Sequence, residues 1–427
     1  MAFANITQLL ESVPDYKETW IECLGDLARY RMAIEEVDMY NRRRYTSIAR
    51  YWYAKAANLN PDVGRIQHHL AVLARPDLLK QLFYYSKALI GVQPFTKARD
   101  SILLLFRPLL DPAKAAIKYP EYYSRTLTVF VEAHGVLFTR KDAPTFLRLA
   151  EEFLSELDKH AGLVAAIFDY GHDGAEIPSM FDQASGRVES RVRDRDEGGS
   201  IQTRTLEIME QAYESWQNPS CVQVGIEHRT AGISSSKQVV SMASHLSFAT
   251  LDVILGGLKD IENTLPSVHV SLAFLWCMAM VLEAMSRIQA DVPWKRLATY
   301  LNKLIKTDTD MVGIENGEFP ARESGLRQLP EDFLIHGLSW SRIYYPPGFF
   351  SDMAEGDERS IEPPSVTVAR TKRCLWLASK IAKFNCWLLY DVETHGFYAT
   401  QFADELTALS QRYQIIGRTD SIITSSI

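Results

Sequence analysis

Cysteine is scarce in this sequence. Its five cysteines, at 23, 221, 277, 374 and 386, are odd in number, widely scattered and without a CxxC pair or zinc-ligand spacing. No disulfide framework is implied, and a reduced intracellular compartment is the expected setting. Long hydrophobic runs are missing too. The longest, Val270 to Leu282, lies between His269 and Glu283 and falls short of the ~18 apolar residues that span a bilayer. The first twenty residues lack a basic leader and carry Glu11 and Asp15, so they do not read as a secretory signal. Neither feature calls for a membrane. Positive charge is not in excess: the net charge is −7 and the pI about 5.9. No global field draws such a chain onto nucleic acid, and any phosphate contact needs a local basic patch. HExxH, GxSxG, Walker and GxGxxG sequences are absent. The expectation is a protein that is not an enzyme and uses no cofactor and no metal.

What is present is an ordinary globular composition, 47% hydrophobic and 23% charged over 427 residues. Most of it repeats at helical spacing. Phe146, Leu149, Ala150, Phe153, Leu154 and Leu157 mark one face, opposite Arg148, Glu151, Glu152 and Glu156. Tyr123, Leu127, Phe130, Val131 and Leu137 do the same one helix earlier. Prolines 61, 76, 94, 108, 112, 120 and 144 predict breaks between helices. Strand signals are weak: Cys221 to Ile226 alternates briefly, and no Asn-Gly has alternation on both sides. The fold class expected is all-α.

A repeat lies within the first part. Trp20 to Tyr30 carries the Trp, Leu-Gly, Tyr order that opens a tetratricopeptide helix pair, and Tyr53 to Pro61 carries its Ala-rich close. A second unit runs from Pro61 to Pro94, near the ~34-residue period of such repeats. Gly25, Ala54, Ala57, Ala71 and Ala88 are the small residues expected to let paired helices approach. Arrays of this kind present concave surfaces that bind peptides. Residues 171–200 lose the periodicity and turn rich in Gly, Ser, Asp and Arg. The expected division is a helical repeat domain over 1–165, a linker or mobile loop over 166–200, a helical domain over 201–415 and a tail over 416–427. In the third segment, an apolar helix is expected around Val268–Met285, a loop over 351–366 and a further helix over 367–391.

Three groups of residues carry candidate chemistry. Arg29 and Tyr30, just after Gly25-Asp26, combine a planar fork for phosphate oxygens with a hydroxyl donor. Asn41 to Lys55 holds Arg42, Arg43, Arg44, Arg50 and Lys55 with no acid, interleaved with Tyr45, Tyr51, Trp52 and Tyr53. That pattern suits a nucleic-acid backbone and stacked bases. The alternative is an amphipathic helix whose aromatics pack inward while its arginines are solvated. His68 and His69 are adjacent, so on a helix they point about 100° apart and cannot chelate one metal. They read as polar lining of a groove.

CLGDLARYR at 23–31, YWYAKAANLNPDVGRIQHHLAVLARP at 51–76 and FYYSKALIGVQPFTKA at 83–98, in that order, resemble the helical domain of Est-type telomerase-associated and SMG-type nonsense-mediated-decay proteins. LPSVHVSLAFLW at 265–276, VPWKRLATYLNKL at 292–304, LPEDFLIHGLSW at 329–340 and YYPPGFF at 344–350 resemble the segment that follows, most like fungal members. The resemblance implies a 14-3-3-like domain merged with tetratricopeptide-like helices, followed by a helical extension. It also implies a phosphoserine pocket at Arg29 and Tyr30, with His68 and His69 where other members carry Asn-Gln and Lys87 where an arginine is common. The pocket would draw further basic residues from an earlier helix, and the leading helices look absent. No nuclease-like segment follows residue 400. Trp340, Tyr344, Tyr345, Phe349 and Phe350 are expected to pack into the second helical block.

The function implied is a non-catalytic adaptor in nonsense-mediated mRNA decay or telomere maintenance, nuclear or cytoplasmic, whose partner is a phosphoprotein. Direct binding of RNA or single-stranded DNA through Arg42, Arg43, Arg44, Arg50 and Tyr51 is the alternative. A scaffold that has lost its ligand is the third reading.

Overall fold

The computed structural model describes residues 2–111, 124–141, 143–157, 211–214, 216, 236–256, 261–306, 309–317, 319–320, 328–346, 348–350 and 365–410. The expected linker at 166–200, the tail at 416–427, the alternation at 221–226 and Pro112, Pro120 and Tyr123 lie outside these residues. The chain divides into two compact units, Met1–Gly135 with His336–Ser339, and Val136–Ile335 with Trp340–Ile427.

The first unit is a series of helices: α1 (Ala2–Ser12), α2 (Lys17–Ile34), α3 (Met39–Leu59), α4 (Gly64–Leu73), α5 (Leu78–Ile90) and α6 (Ala98–Leu109), with most of α7 (Arg125–Phe138). Short loops join them, so neighbours pack antiparallel, α2 with α3 and α4 with α5. The all-α class and the antiparallel helical array of tetratricopeptide and 14-3-3 type are as the sequence implies. Asp38 caps α3 by accepting from the backbone N–H of Tyr40 and Asn41, and Asp77 caps α5 through Lys80. Gly25 permits the tightest contact between α2 and α3. A Cβ there would meet the Tyr53 ring at 2.9 Å.

Two helix-level expectations need correction. Ala54 faces solvent and Ala57 is half-buried; the small residues buried in α3 are Ala49 and Ala56. Ala57 still packs against the core of this unit, so only Ala54 points away from the buried face. Pro108 does not separate helices, because it sits in the last turn of α6. The chain segment His336–Ser339 completes this unit: Val92 N–H donates to the Gly337 carbonyl at 3.1 Å, and Gln93 N–H to Asp62 at 2.9 Å.

The second unit holds α8 (Ala143–Glu156), α9 (Ser236–Gly256), α10 (Ile261–Ala279), α11 (Leu282–Ser286), α12 (Trp294–Leu304), α13 (Met311–Asn316), α14 (Pro330–Ile335) and α15 (Ser365–Ala382). Helix α10 is buried on every side from Leu272 to Ala279, which explains its uninterrupted hydrophobicity. The single helix expected around Val268–Met285 is therefore two, α10 and α11. One helix among the described residues, α9, is long and apolar enough to cross a membrane. More than half of its most apolar stretch is buried in this unit, as in the core helix of a packed domain.

The expected helix at 367–391 begins at Ser365 and stops at Ala382. Asn385 then takes a left-handed φ of 54°, and Leu388–Asp391 (β1) pairs antiparallel with Gly396–Ala399 (β2). Asn302 of α12 closes the outer edge of β2. Its side-chain amide donates to the Phe397 carbonyl at 2.8 Å and accepts from the Phe397 N–H at 2.7 Å. Trp340, Tyr344 and Phe349 are buried and Tyr345 and Phe350 half-buried, so these aromatics do pack as expected.

Candidate functional site

Arg29 and Asp26 stand one turn apart on α2, so their side chains share a face. An Arg29 terminal nitrogen donates to Asp26 at 3.0 Å, and its Nε donates to the Tyr53 hydroxyl at 2.9 Å. That hydroxyl donates in turn to Asp26 at 2.5 Å. Burial alone would raise the Asp26 pKa, but the hydrogen bonds from Tyr53 and Arg29 outweigh it and lower it. Burial also works against the Arg29 charge, and the same two partners override it and raise its pKa. The result is a fixed cation at every physiological pH.

Tyr30 is exposed, with the Arg29 guanidinium 4.5 Å from its ring centroid. His69 stacks on Tyr53 at 4.9 Å, and His68 lies 5.6 Å from His69 with Tyr85 and Phe95 around it. Burial first, and the Arg29 charge second, lower both imidazoles; His69 falls to about 4. Both are neutral near pH 7 and contribute hydrogen-bonding groups rather than charge. The structure thus brings Arg29, Tyr30, His68 and His69 together, joined through Tyr53 and Asp26. The sequence placed Tyr53 with the basic-aromatic stretch of 41–55 and Asp26 only in the Gly-Asp that precedes the Arg-Tyr pair, and assigned neither a part in this site. Lys87 is buried on α5, with Phe83 and Asp62 as neighbours, and burial lowers its pKa to about 7.

The basic helix α3 splits its arginines between roles. Arg42 donates to the Glu35 carbonyl at 3.1 Å and Arg50 to the Leu73 carbonyl at 2.9 Å. Arg43 and Arg44 reach solvent. They share a stripe at helical spacing with Tyr40, Ser47, Arg50 and Tyr51, all exposed. The expectation that the aromatics pack inward holds for Tyr53 and fails for Tyr51, which is 59% exposed.

A second cluster lies in the core of the other unit. His269 of α10 bonds Glu331 at 2.8 Å through Nδ1 and the Tyr344 hydroxyl at 2.7 Å through Nε2. Arg370 grips Glu331 with two bonds, at 2.6 and 2.8 Å, while Arg373 meets Asp332 at 2.6 and 2.7 Å. Burial would raise the Glu331 pKa, but the bonds from Arg370 and His269 prevail and pull it to about 2. Glu331-Asp332 read in sequence as acidic residues at a helix start; the structure shows them as the anions of a buried network. Two arginines three residues apart, Arg370 and Arg373, which share one face of α15, were the signal available for it. Among the described residues no group of three or more His, Cys, Asp or Glu could hold a metal ion.

Residues 49–162 match the family described as Est1 DNA/RNA binding domain. Part of the chain is therefore similar to Est/SMG proteins. The chain is 36% identical over 86 residues to telomerase-binding protein EST1A of Danio rerio, covering 20% of this chain and 5% of that one. It is 38% identical over 183 residues to nonsense-mediated mRNA decay factor SMG7 of Arabidopsis thaliana, covering 34% of this chain and 17% of that one. SMG7 of Danio rerio is 23% identical over 317 residues, covering 74% and 23%. The matches thus span less than a quarter of the length of these relatives. Among solved structures, that of Est1 and Cdc13 aligns with a TM-score of 0.49 at 8% identity, covering 90% of this chain and 71% of that one.

Proposed function

We propose that this chain is a non-catalytic helical adaptor of the nonsense-mediated mRNA decay or telomerase machinery, nuclear or cytoplasmic, that binds a phosphorylated segment of a partner protein at Arg29. The relatives named for those two processes support the setting. One observation carries the chemistry: the Arg29 guanidinium is immobilised by Tyr53 and Asp26 beside the exposed Tyr30 ring. A held guanidinium loses less side-chain freedom when it binds a phosphate than a mobile one does. Its remaining N–H groups are available to phosphate oxygens, and His68 and His69 supply neutral hydrogen-bonding groups nearby.

Fluorescence anisotropy with a phosphoserine peptide and its unphosphorylated twin tests this reading. The phosphorylated form should bind at least tenfold tighter, and Arg29→Glu should remove the difference. Equal binding of the two peptides, or an unaffected Arg29→Glu variant, sinks it.

A second reading has its own observation. The outer stripe of α3 exposes Arg43, Arg44, Tyr40 and Tyr51 without a single acid in the helix. Such a surface suits the backbone and bases of RNA or single-stranded DNA. If neither ligand binds, the scaffold reading is the one left.

A further inference from the structure

The end of the α2–α3 hairpin presents an unusual surface. Tyr30, Ile34, Val37, Met39 and Tyr40 are 57%, 68%, 93%, 56% and 77% exposed, although large apolar side chains seldom cluster this way on a solvated surface. Two of the local acids are engaged: Asp38 caps α3, accepting from Tyr40 N–H, Asn41 N–H and the Asn41 side chain, and Glu35 is paired with Arg31, while Glu36 is exposed between Ile34 and Val37. The patch also has a defined beginning. Tyr30 lies under the Arg29 guanidinium, and Ile34 is one turn further along the same stripe of α2. From Tyr30 to Ile34 the helix advances about 6 Å, which an extended peptide covers in about two residues.

We propose that this apolar stripe is the specificity surface of the Arg29 site: it takes large apolar side chains two or three residues from the phosphorylated residue of the partner peptide. The inference rests on the phosphopeptide reading above and goes beyond it by naming what flanks the phosphate. Charge complementarity fixes one end of the peptide at Arg29. Continuity of the exposed surface from Tyr30 to Ile34 then directs the chain over the patch. A peptide with polar flanks would leave the patch in water and forgo the burial of apolar area on both sides.

Four peptides test the proposal against the full chain by fluorescence anisotropy. One carries a central phosphoserine with Leu at the second and third positions on each side, and a second has Ser in place of every Leu. The other two are their unphosphorylated twins. The Leu phosphopeptide should bind about tenfold tighter than the Ser phosphopeptide, the effect expected for burying one large apolar side chain. Ile34→Ser and Val37→Ser, both at exposed positions, should reduce that ratio toward one while the phosphate preference survives. A phosphate preference without any Leu preference overturns this inference and leaves the Arg29 reading standing. Equal binding of each phosphopeptide and its unphosphorylated twin overturns the Arg29 reading, and with it the flank preference proposed here. An oligouridine probe supplies the remaining arm: if Ile34→Ser and Val37→Ser weaken its binding and leave the peptides unaffected, the patch serves nucleic acid and the inference is wrong.

Discussion

The Tyr53 hydroxyl and the Asp26 carboxylate share a 2.5 Å hydrogen bond although they stand 27 residues apart and on different helices. That bond locks α3 to α2 at the point where Arg29 needs its anchor. Removing it with Tyr53→Phe leaves a half-buried carboxylate with one partner fewer. The variant should fold and lose about 1–2 kcal/mol of stability, the usual cost of one such bond. Phosphopeptide affinity should fall several-fold, because Arg29 Nε loses its acceptor. Urea unfolding and anisotropy measure the two effects; a variant unchanged in both would show that Tyr53 does not position Arg29.

Stability should depend on pH through His69 and Lys87. The folded pKa of His69, about 4, lies below the ~6.5 of a free imidazole, so the unfolded chain takes up the proton first. Its contribution is complete above ~6.5 and is lost as pH falls to 4. His69→Gln should flatten the acid side of a plot of Tm against pH. For Lys87 the window is alkaline: with a folded pKa of about 7 against ~10.4 in the unfolded chain, stability rises from pH 7 to 10. Lys87→Met should abolish that rise, and a slope that persists would place its origin elsewhere.

The buried Glu331–Arg370 pair should tolerate loss of both charges better than loss of one. Glu331→Gln leaves the Arg370 guanidinium uncompensated in the core and should cost about 3–5 kcal/mol. Adding Arg370→Met should restore part of that loss. Thermal unfolding of the two variants and the parent decides the matter, and additive losses in the double variant would contradict the pairing.

If the outer stripe of α3 binds RNA, affinity should fall steeply with salt. Replacing both Arg43 and Arg44 with Ala should lower the slope of log K against log salt by about 1.4, at ~0.7 per contacted phosphate of a single strand. Arg42→Ala should change it less, since that side chain is engaged with the Glu35 carbonyl. Equal slopes for the parent and the Arg43/Arg44 variant would exclude these two residues from any nucleic-acid contact.

Helices were the most legible part of the fold. Their signals, apolar spacing and capping aspartates, act between residues a few positions apart. The Pro61–Pro94 repeat became α4 and α5 for that reason. The hairpin at 388–399 was illegible because its strands are four residues each and one edge is closed by Asn302, nearly a hundred positions earlier. Ala54 misled because composition records how many small residues a helix has and not which way each one faces.

The candidate site divides along the same line. Arg29, Tyr30, His68 and His69 were readable as a local Gly-Asp-x-x-Arg-Tyr pattern and a histidine pair, together with their family resemblance. The sequence by itself determined the helical class, the repeat and the residue types that can meet a phosphate. Only the tertiary structure decided that Tyr53 and Asp26 hold Arg29, that Lys87 is turned into the core, and that Arg370 and His269 both bond Glu331 there. Hydrogen bonds and ion pairs depend on distances of about 3 Å, and those distances are set when whole helices pack, long after local spacing has done its work.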